Sequence, residues 1–140
     1  MNKEWDVKHL SMAVVVKEGR ILVQKRFRSG KGLVLEFPGG EVLDDETGTD
    51  AAIRELKEET GMQDLTHAAT YCDVNDFGGR IYFVVMRAFG DAEPVALDEE
   101  RQQTFYWLEP NKIPLDDFYR ADVEFINHQL KQYALSPVLA

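Results

Sequence analysis

The chain has 140 residues, 44% hydrophobic and 29% charged, with a formal net charge of −9. That is the composition of a folded globular protein with room for one core and hardly a second, which excludes a disordered chain or a fibrous repeat. No apolar run approaches the roughly 20 residues of a membrane span, and the negative charge argues against duplex nucleic acid, whose binding needs a cationic surface.

The N-terminal MNKEWDVKHL lacks the apolar stretch of a secretory signal. Cys72 is the only cysteine, so no intrachain disulfide forms and the cytoplasm is the expected compartment. His9 to Val16 is rich in β-branched residues and predicts a buried strand. Glu18-Gly19 predicts a turn, and Arg20 to Phe27 a returning strand that completes a hairpin. Arg28 to Gly32 is a loop. Val34 to Phe37 leads into Pro38-Gly39-Gly40, read as a tight bend. Thr49 to Thr60 is helical in pattern, with Ala52, Ile53 and Leu56 as an apolar stripe, Thr49 or Asp50 as cap and Gly61 as stop. Strands are predicted at Thr66–Val74 and Arg80–Phe89, joined by a turn at Asn75 to Gly79. An acidic loop, Gly90 to Glu100, leads to a strand at Thr104–Leu108. A helix over Asp116 to Tyr133 would pack through Phe118, Val123, Phe125, Ile126 and Leu130. Mixed strands with one central and one terminal helix predict an α/β or α+β sandwich, one domain over residues 1–140.

Charge is unevenly spread along this plan. Between Glu41 and Thr60 eight acids (Glu41, Asp44, Asp45, Glu46, Asp50, Glu55, Glu58, Glu59) face only Arg54 and Lys57. Just upstream, six bases from Lys17 to Lys31 face only Glu18. A basic segment running into an acidic one suits a site where metal ions meet an anionic substrate, although solvated faces give the same pattern.

The helix sets Glu55, Glu58 and Glu59 at i, i+3 and i+4 on one face. Like charges so spaced cost a helix roughly 0.2–0.5 kcal/mol per pair. A hard divalent cation relieves that repulsion, and Mg²⁺ in particular accepts a few carboxylates together with phosphate oxygens and water. Arg54 can bridge to Glu58 or reach Glu46, and the Gly39-Gly40 backbone can come close enough for a carbonyl to ligate. Each feature alone is weak.

Their joint spacing is specific. Gly40, Glu46 and Arg54-Glu55-Leu56-Lys57-Glu58-Glu59-Thr60-Gly61-Met62 satisfy every fixed position of G-x5-E-x7-R-E-U-x-E-E-x-G-U, with U aliphatic. At average residue usage a chance match at a given start is on the order of 10⁻⁹. These 23 residues resemble the signature box of the Nudix hydrolases. The preceding hairpin, Glu36-Phe37-Pro38-Gly39-Gly40, and the downstream Trp107 strand with its C-terminal helix extend the resemblance over most of the chain.

The resemblance implies an αβα sandwich with a mixed central sheet, hydrolysing a nucleoside diphosphate linked to another group. It implies Glu55, Glu58 and Glu59 as metal ligands, helped by the Gly39 carbonyl, with Mg²⁺ as cofactor and Mn²⁺ as a substitute. Arg54 and Glu46 would orient the ligands. A metal-activated water needs a base, and Glu55 or an acid of the loop before Trp107, Glu99 or Glu100, could serve. Arg26, Arg28 and Lys31 are candidates for binding phosphates.

For the substrate, the Glu36-to-Gly40 lead-in resembles that of MutT-like nucleoside triphosphate pyrophosphatases. The stretch from Tyr106 to Pro114 is similar to that of relatives acting on oxidised purines, which grip the base with an aromatic residue and two Asp. Here Tyr119 and Asp122 keep the aromatic and one Asp. The proline that marks the ADP-ribose class would fall at Gly78. An ordinary or oxidised nucleoside triphosphate is therefore the expected small-molecule partner of a monomer or homodimer. A nucleotide-sugar or dinucleotide pyrophosphatase is one alternative. A silent nucleotide-binding domain is another, but it would have lost a helix carboxylate, and none is missing. An EF-hand, a paired-ligand zinc site, G-x-S-x-G and a P-loop are all absent from the sequence.

Overall fold

Strands β1 (Leu10–Lys17) and β2 (Arg20–Arg28) form the expected hairpin. The computed structural model describes residues 7–97, 100 and 102–134. The hairpin turn holds Glu18 and Gly19 at φ 52° and 78°, the two-residue geometry whose twist matches that of paired strands. Beyond Val16↔Ile21 the two strands take different neighbours. β1 lies parallel to β6 (Arg80–Arg87), which pairs antiparallel with β5 (Thr66–Val74). β2 is flanked by β3 (Gly32–Glu36) and, on its other edge, β7 (Thr104–Leu108), both antiparallel.

The Pro38-Gly39-Gly40 segment is not a bend alone. Gly39–Glu41 forms a short strand, β4, antiparallel to β1 with Ser11 opposite Gly40. Gly39 pairs this closely with β1 because it carries no side chain. A Cβ on Gly39 would stand 2.3 Å from the Ser11 carbonyl oxygen.

Alternation along β1 and β2 makes two cores. Ala13, Val15 and Leu22 join Val84 and Met86 beneath helix α1 (Gly48–Thr60), which contributes Ala52 and Leu56. Val14, Val16, Ile21 and Val23 join Phe83 and Val85 on the other face, beneath Phe125, Ile126 and Leu130. Each buried Val, Leu, Ile, Met or Phe among them contributes roughly 1.5–3 kcal/mol. The result is a mixed α+β sandwich with a central mixed sheet between helices, as expected.

α1 starts one residue earlier than its pattern suggests, because Thr47 is the cap. Its hydroxyl accepts the Asp50 N–H at 3.0 Å. Ile53 is exposed, whereas Ala51 and Ala52 are fully buried, small side chains that let the helix pack close. Gly61, at φ 76°, ends the helix with its N–H on the Lys57 carbonyl.

The C-terminal helix starts later than expected. Leu115–Asp117 is a single 3₁₀ turn, and the helix runs from Arg120 through α2 (Arg120–Phe125), a π-helical turn at Ile126–Leu130 and α3 (Lys131–Ala134). Phe125 stacks on Phe83 at 4.5 Å, and Phe118 meets Phe37 edge-on at 5.3 Å. These rings hold the Phe37–Gly40 segment against the start of α2. The acidic loop is fastened by Glu93, which pairs with Lys17 and accepts the Trp107 indole N–H at 2.9 Å. Both contacts hold its carboxyl below the usual carboxylate range.

Candidate active site

Arg54 is the hub of the acidic helix. Its Nε and Nη2 donate to the two oxygens of Glu46 at 3.1 and 2.7 Å, and Nη2 also reaches the Glu41 carbonyl at 2.9 Å. Nη1 meets Glu55 at 3.0 Å and Glu58 at 3.4 Å. Glu46 additionally accepts the Leu43 N–H at 3.0 Å. The hydrogen bonds from Arg54, first, and Leu43 hold Glu46 below the ordinary carboxylate range, while Arg54 is raised further. The planar fork thus ties the Glu41–Glu46 loop to the helix.

The three helix glutamates differ sharply in setting. Glu58 is 58% exposed, Glu55 is 17% exposed, and Glu59 is buried. Glu59 Oε2 accepts the Gly39 N–H at 3.1 Å. Burial, then the neighbouring Glu55 carboxylate, pushes Glu59 up to about 7. Glu55 packs on the bare backbone of Gly40, where an added Cβ would come within 2.5 Å of the carboxyl carbon. The structure therefore brings Glu55, Glu59, Gly39 and Gly40 together. Glu58 stays at the solvent edge beside Arg54. Among the described residues no three acidic, histidine or cysteine side chains close tightly enough to cage an ion unaided.

A cavity of about 380 Å³ opens beside Glu55. Arg26, Arg28, Gly39, Gly40, Tyr119 and Asp122 line it too. Both arginines are engaged by Glu36. Arg26 Nε lies 2.8 Å from it and Arg28 grips it through two nitrogens, the closest contact at 2.9 Å. Asp122 is buried. One oxygen accepts the Tyr119 N–H at 3.1 Å, capping α2, while the other has no partner. Burial pushes its carboxyl up to about 6, and Glu36 and Asp76 push the same way. Tyr119, half exposed, has Lys31 Nζ 4.1 Å above its ring and Phe77 edge-on at 6.1 Å.

Glu100 sits on a neighbouring shelf with Arg26, Arg28 and Gln102, and Glu99 lies outside the described residues. Sequence reasoning missed Gln24, Gln103 and Glu36. Gln24 carried a signal, since it interrupts the apolar run of β2 yet is buried there.

With this geometry in view, the NUDIX domain model matches residues 7–129. The chain belongs to the Nudix family. As a Nudix protein it is 33% identical over 122 residues to the oxidized purine nucleoside triphosphate hydrolase of Danio rerio, covering 83% of this chain and 75% of that one. It is 25% identical over 126 residues to the CTP pyrophosphohydrolase of Escherichia coli K12, covering 89% and 93%. A solved MutT structure, from work on the Aliivibrio salmonicida and Vibrio cholerae proteins, superposes with TM-score 0.64 at 26% identity, covering 90% of this chain and 98% of that one. This Nudix chain is a MutT-like hydrolase of the pyrophosphohydrolase type, in a family that generally uses divalent metals. No helix among its described residues is long and apolar enough to cross a membrane.

Proposed function

We propose that this Nudix hydrolase cleaves a nucleoside triphosphate, ordinary or oxidised, to the monophosphate and pyrophosphate, with Mg²⁺ or, in its place, Mn²⁺. The reading takes residues 1–140 as one domain acting in the cytoplasm. The observation that carries it is a single cavity lined by Glu55, the Gly39-Gly40 backbone, two arginines, Tyr119 and Asp122. The names of the zebrafish and E. coli relatives, both acting on nucleoside triphosphates, support the substrate class.

The donor set suits a hard divalent cation. Glu55 and Glu59 are adjacent, and Glu59 rises to about 7 because it is buried and, second, because the neighbouring Glu55 carboxylate resists joint ionisation. Glu55, Glu58 and Glu59 with the Gly39 carbonyl would hold the ion, leaving phosphate oxygens to complete its shell. Such an ion neutralises phosphate charge and lowers the pKa of water.

The remaining work falls to the side chains. Glu55, at the cavity wall, takes the proton from the attacking water, a step worth typically 10²–10⁴-fold. Glu100, on the adjacent shelf, is the second candidate for that proton. Arg54 fixes Glu55, and Glu46 fixes Arg54. Arg26 and Arg28 exchange part of their hold on Glu36 for phosphate oxygens. The Tyr119 ring and the unpartnered Asp122 oxygen face the base. Asp122, titrating near 6, can accept a hydrogen bond or, protonated, donate one.

The test is kcat/KM across CTP, GTP, 8-oxo-dGTP, ADP-ribose and a diadenosine polyphosphate, with products identified. A triphosphate leading the ranking, with pyrophosphate released, is expected. ADP-ribose or the dinucleotide leading would overturn the substrate assignment.

A further inference from the structure

Behind the carboxylates lies a buried amide pair that the proposed chemistry leaves unused. Gln24, in the middle of β2, is 1% exposed and Gln103, at the foot of β7, is 7% exposed. Gln24 Nε2 donates to Glu59 Oε1 at 3.4 Å and to Glu36 Oε1 at 3.1 Å. Gln103 Nε2 donates to the same Glu59 oxygen at 3.3 Å and to Gln24 Oε1 at 2.8 Å. With the Gly39 N–H on Oε2, three N–H donors converge on one buried carboxylate.

Two primary amides in a core are expensive, and a leucine at either site would bury as well without a polar group to satisfy. Gln103 even keeps its own oxygen without a partner. The arrangement makes sense as a cradle. An amide supplies donors without adding charge to a crowded acidic site, and two of them, fixed to each other, leave Glu59 little freedom to rotate. The chain continues outward, since Glu36 is the carboxylate held by Arg26 and Arg28. One network therefore runs from the arginines lining the cavity to the deepest helix glutamate.

We propose that Gln24 and Gln103 are positioning residues that orient Glu59 as a ligand for a divalent cation. This rests on the metal reading given above and extends it to residues outside the signature box. Loss of such an outer hydrogen bond typically costs 10–100-fold in metal affinity.

The test uses the full chain, with Mn²⁺ as the probe and the free-ion paramagnetic resonance signal as the readout. Gln24→Leu and Gln103→Leu should each bind Mn²⁺ about 10–100-fold more weakly than the parent, with a cooperative thermal transition retained in EDTA. A purely structural role would instead lower the Tm and leave the Mn²⁺ affinity of the folded variant unchanged. If Gln24→Leu does not fold, Gln103→Leu, just before β7 rather than inside a strand, decides by the same criteria. Parental Mn²⁺ affinity in the folded variants, or a lowered Tm with affinity unchanged, overturns the positioning role and leaves the metal site standing. Absence of Mn²⁺ binding by the parent itself overturns the metal site and the positioning role together.

Discussion

Gly40→Ala separates the site from the scaffold. The new Cβ would lie 2.5 Å from the Glu55 carboxyl carbon and from Oε1, and 2.8 Å from Oε2, whereas ordinary contact begins at 3.4 Å. The carboxylate must retreat by about 1 Å, and the far end of a flexible side chain does so at little cost in stability. That shift disturbs the 3.0 Å contact to Arg54 and moves a proposed ligand and base. A 1 Å misplacement at a reacting centre costs about 10²-fold. The companion change, Gly39→Ala, drives its Cβ to 2.3 Å from the backbone oxygen of Ser11, so β4 must part from β1, at about 1–3 kcal/mol. Initial rates of pyrophosphate release at saturating Mg²⁺, paired with calorimetric melts, distinguish the two. Gly40→Ala should lose about 10²-fold in kcat/KM while keeping its Tm. Gly39→Ala should lose several degrees of Tm. A Gly40→Ala enzyme within three-fold of the parent, or one as unstable as Gly39→Ala, would refute the close packing of Glu55 on that backbone.

Glu58→Gln and Glu59→Gln should each cut kcat by several orders of magnitude, and EDTA should abolish turnover that added Mg²⁺ restores; unchanged rates would remove the metal assignment. Arg28→Ala should raise KM for the triphosphate about ten-fold with less effect on kcat, measured by steady-state kinetics. Asp122 gives a pH signature. Its carboxyl moves from 3.8 to about 6 on folding, so between those values the native state holds a proton that the unfolded chain has released. Its contribution falls as pH rises from about 4 to about 6, by about 3 kcal/mol, and is level above. Urea titrations at pH 4, 5, 6 and 7 should show Asp122→Asn lacking this decline, and parallel profiles would count against the buried setting of Asp122.

The elements whose pattern is local were legible in the sequence. β5 and β7 run over the residues expected of them, Thr66–Val74 and Thr104–Leu108, and Gly61 ends α1 where its φ of 76° is required. β4 was not legible, because two glycines have low strand propensity and pair here only because β1 and α1 press on both sides. The late start of the last helix follows from the 3₁₀ turn at Leu115–Asp117, in which Asp117 accepts the Leu35 N–H at 3.0 Å, a contact 82 residues away in sequence. The π-helical turn at Ile126–Leu130 likewise has no signature in one sequence.

The site divides the same way. The glutamate spacing is a helix property and could be read directly. That Glu59 is buried and Glu58 exposed depends on which side of α1 meets Gln24 and Gln103, a tertiary fact. Gln24 and Gln103 are 79 residues apart, and no local pattern joins them.

The most direct measurement is an anomalous difference map from crystals of the protein soaked in Mn²⁺ with a non-hydrolysable nucleoside triphosphate. A peak bonded to the carboxylates of Glu55, Glu58 or Glu59, with nucleotide phosphate on its open side, is the expected result. Nucleotide in the Arg26–Asp122 cavity with no manganese at those glutamates, or manganese held instead by Asp44 and Asp45, would contradict it.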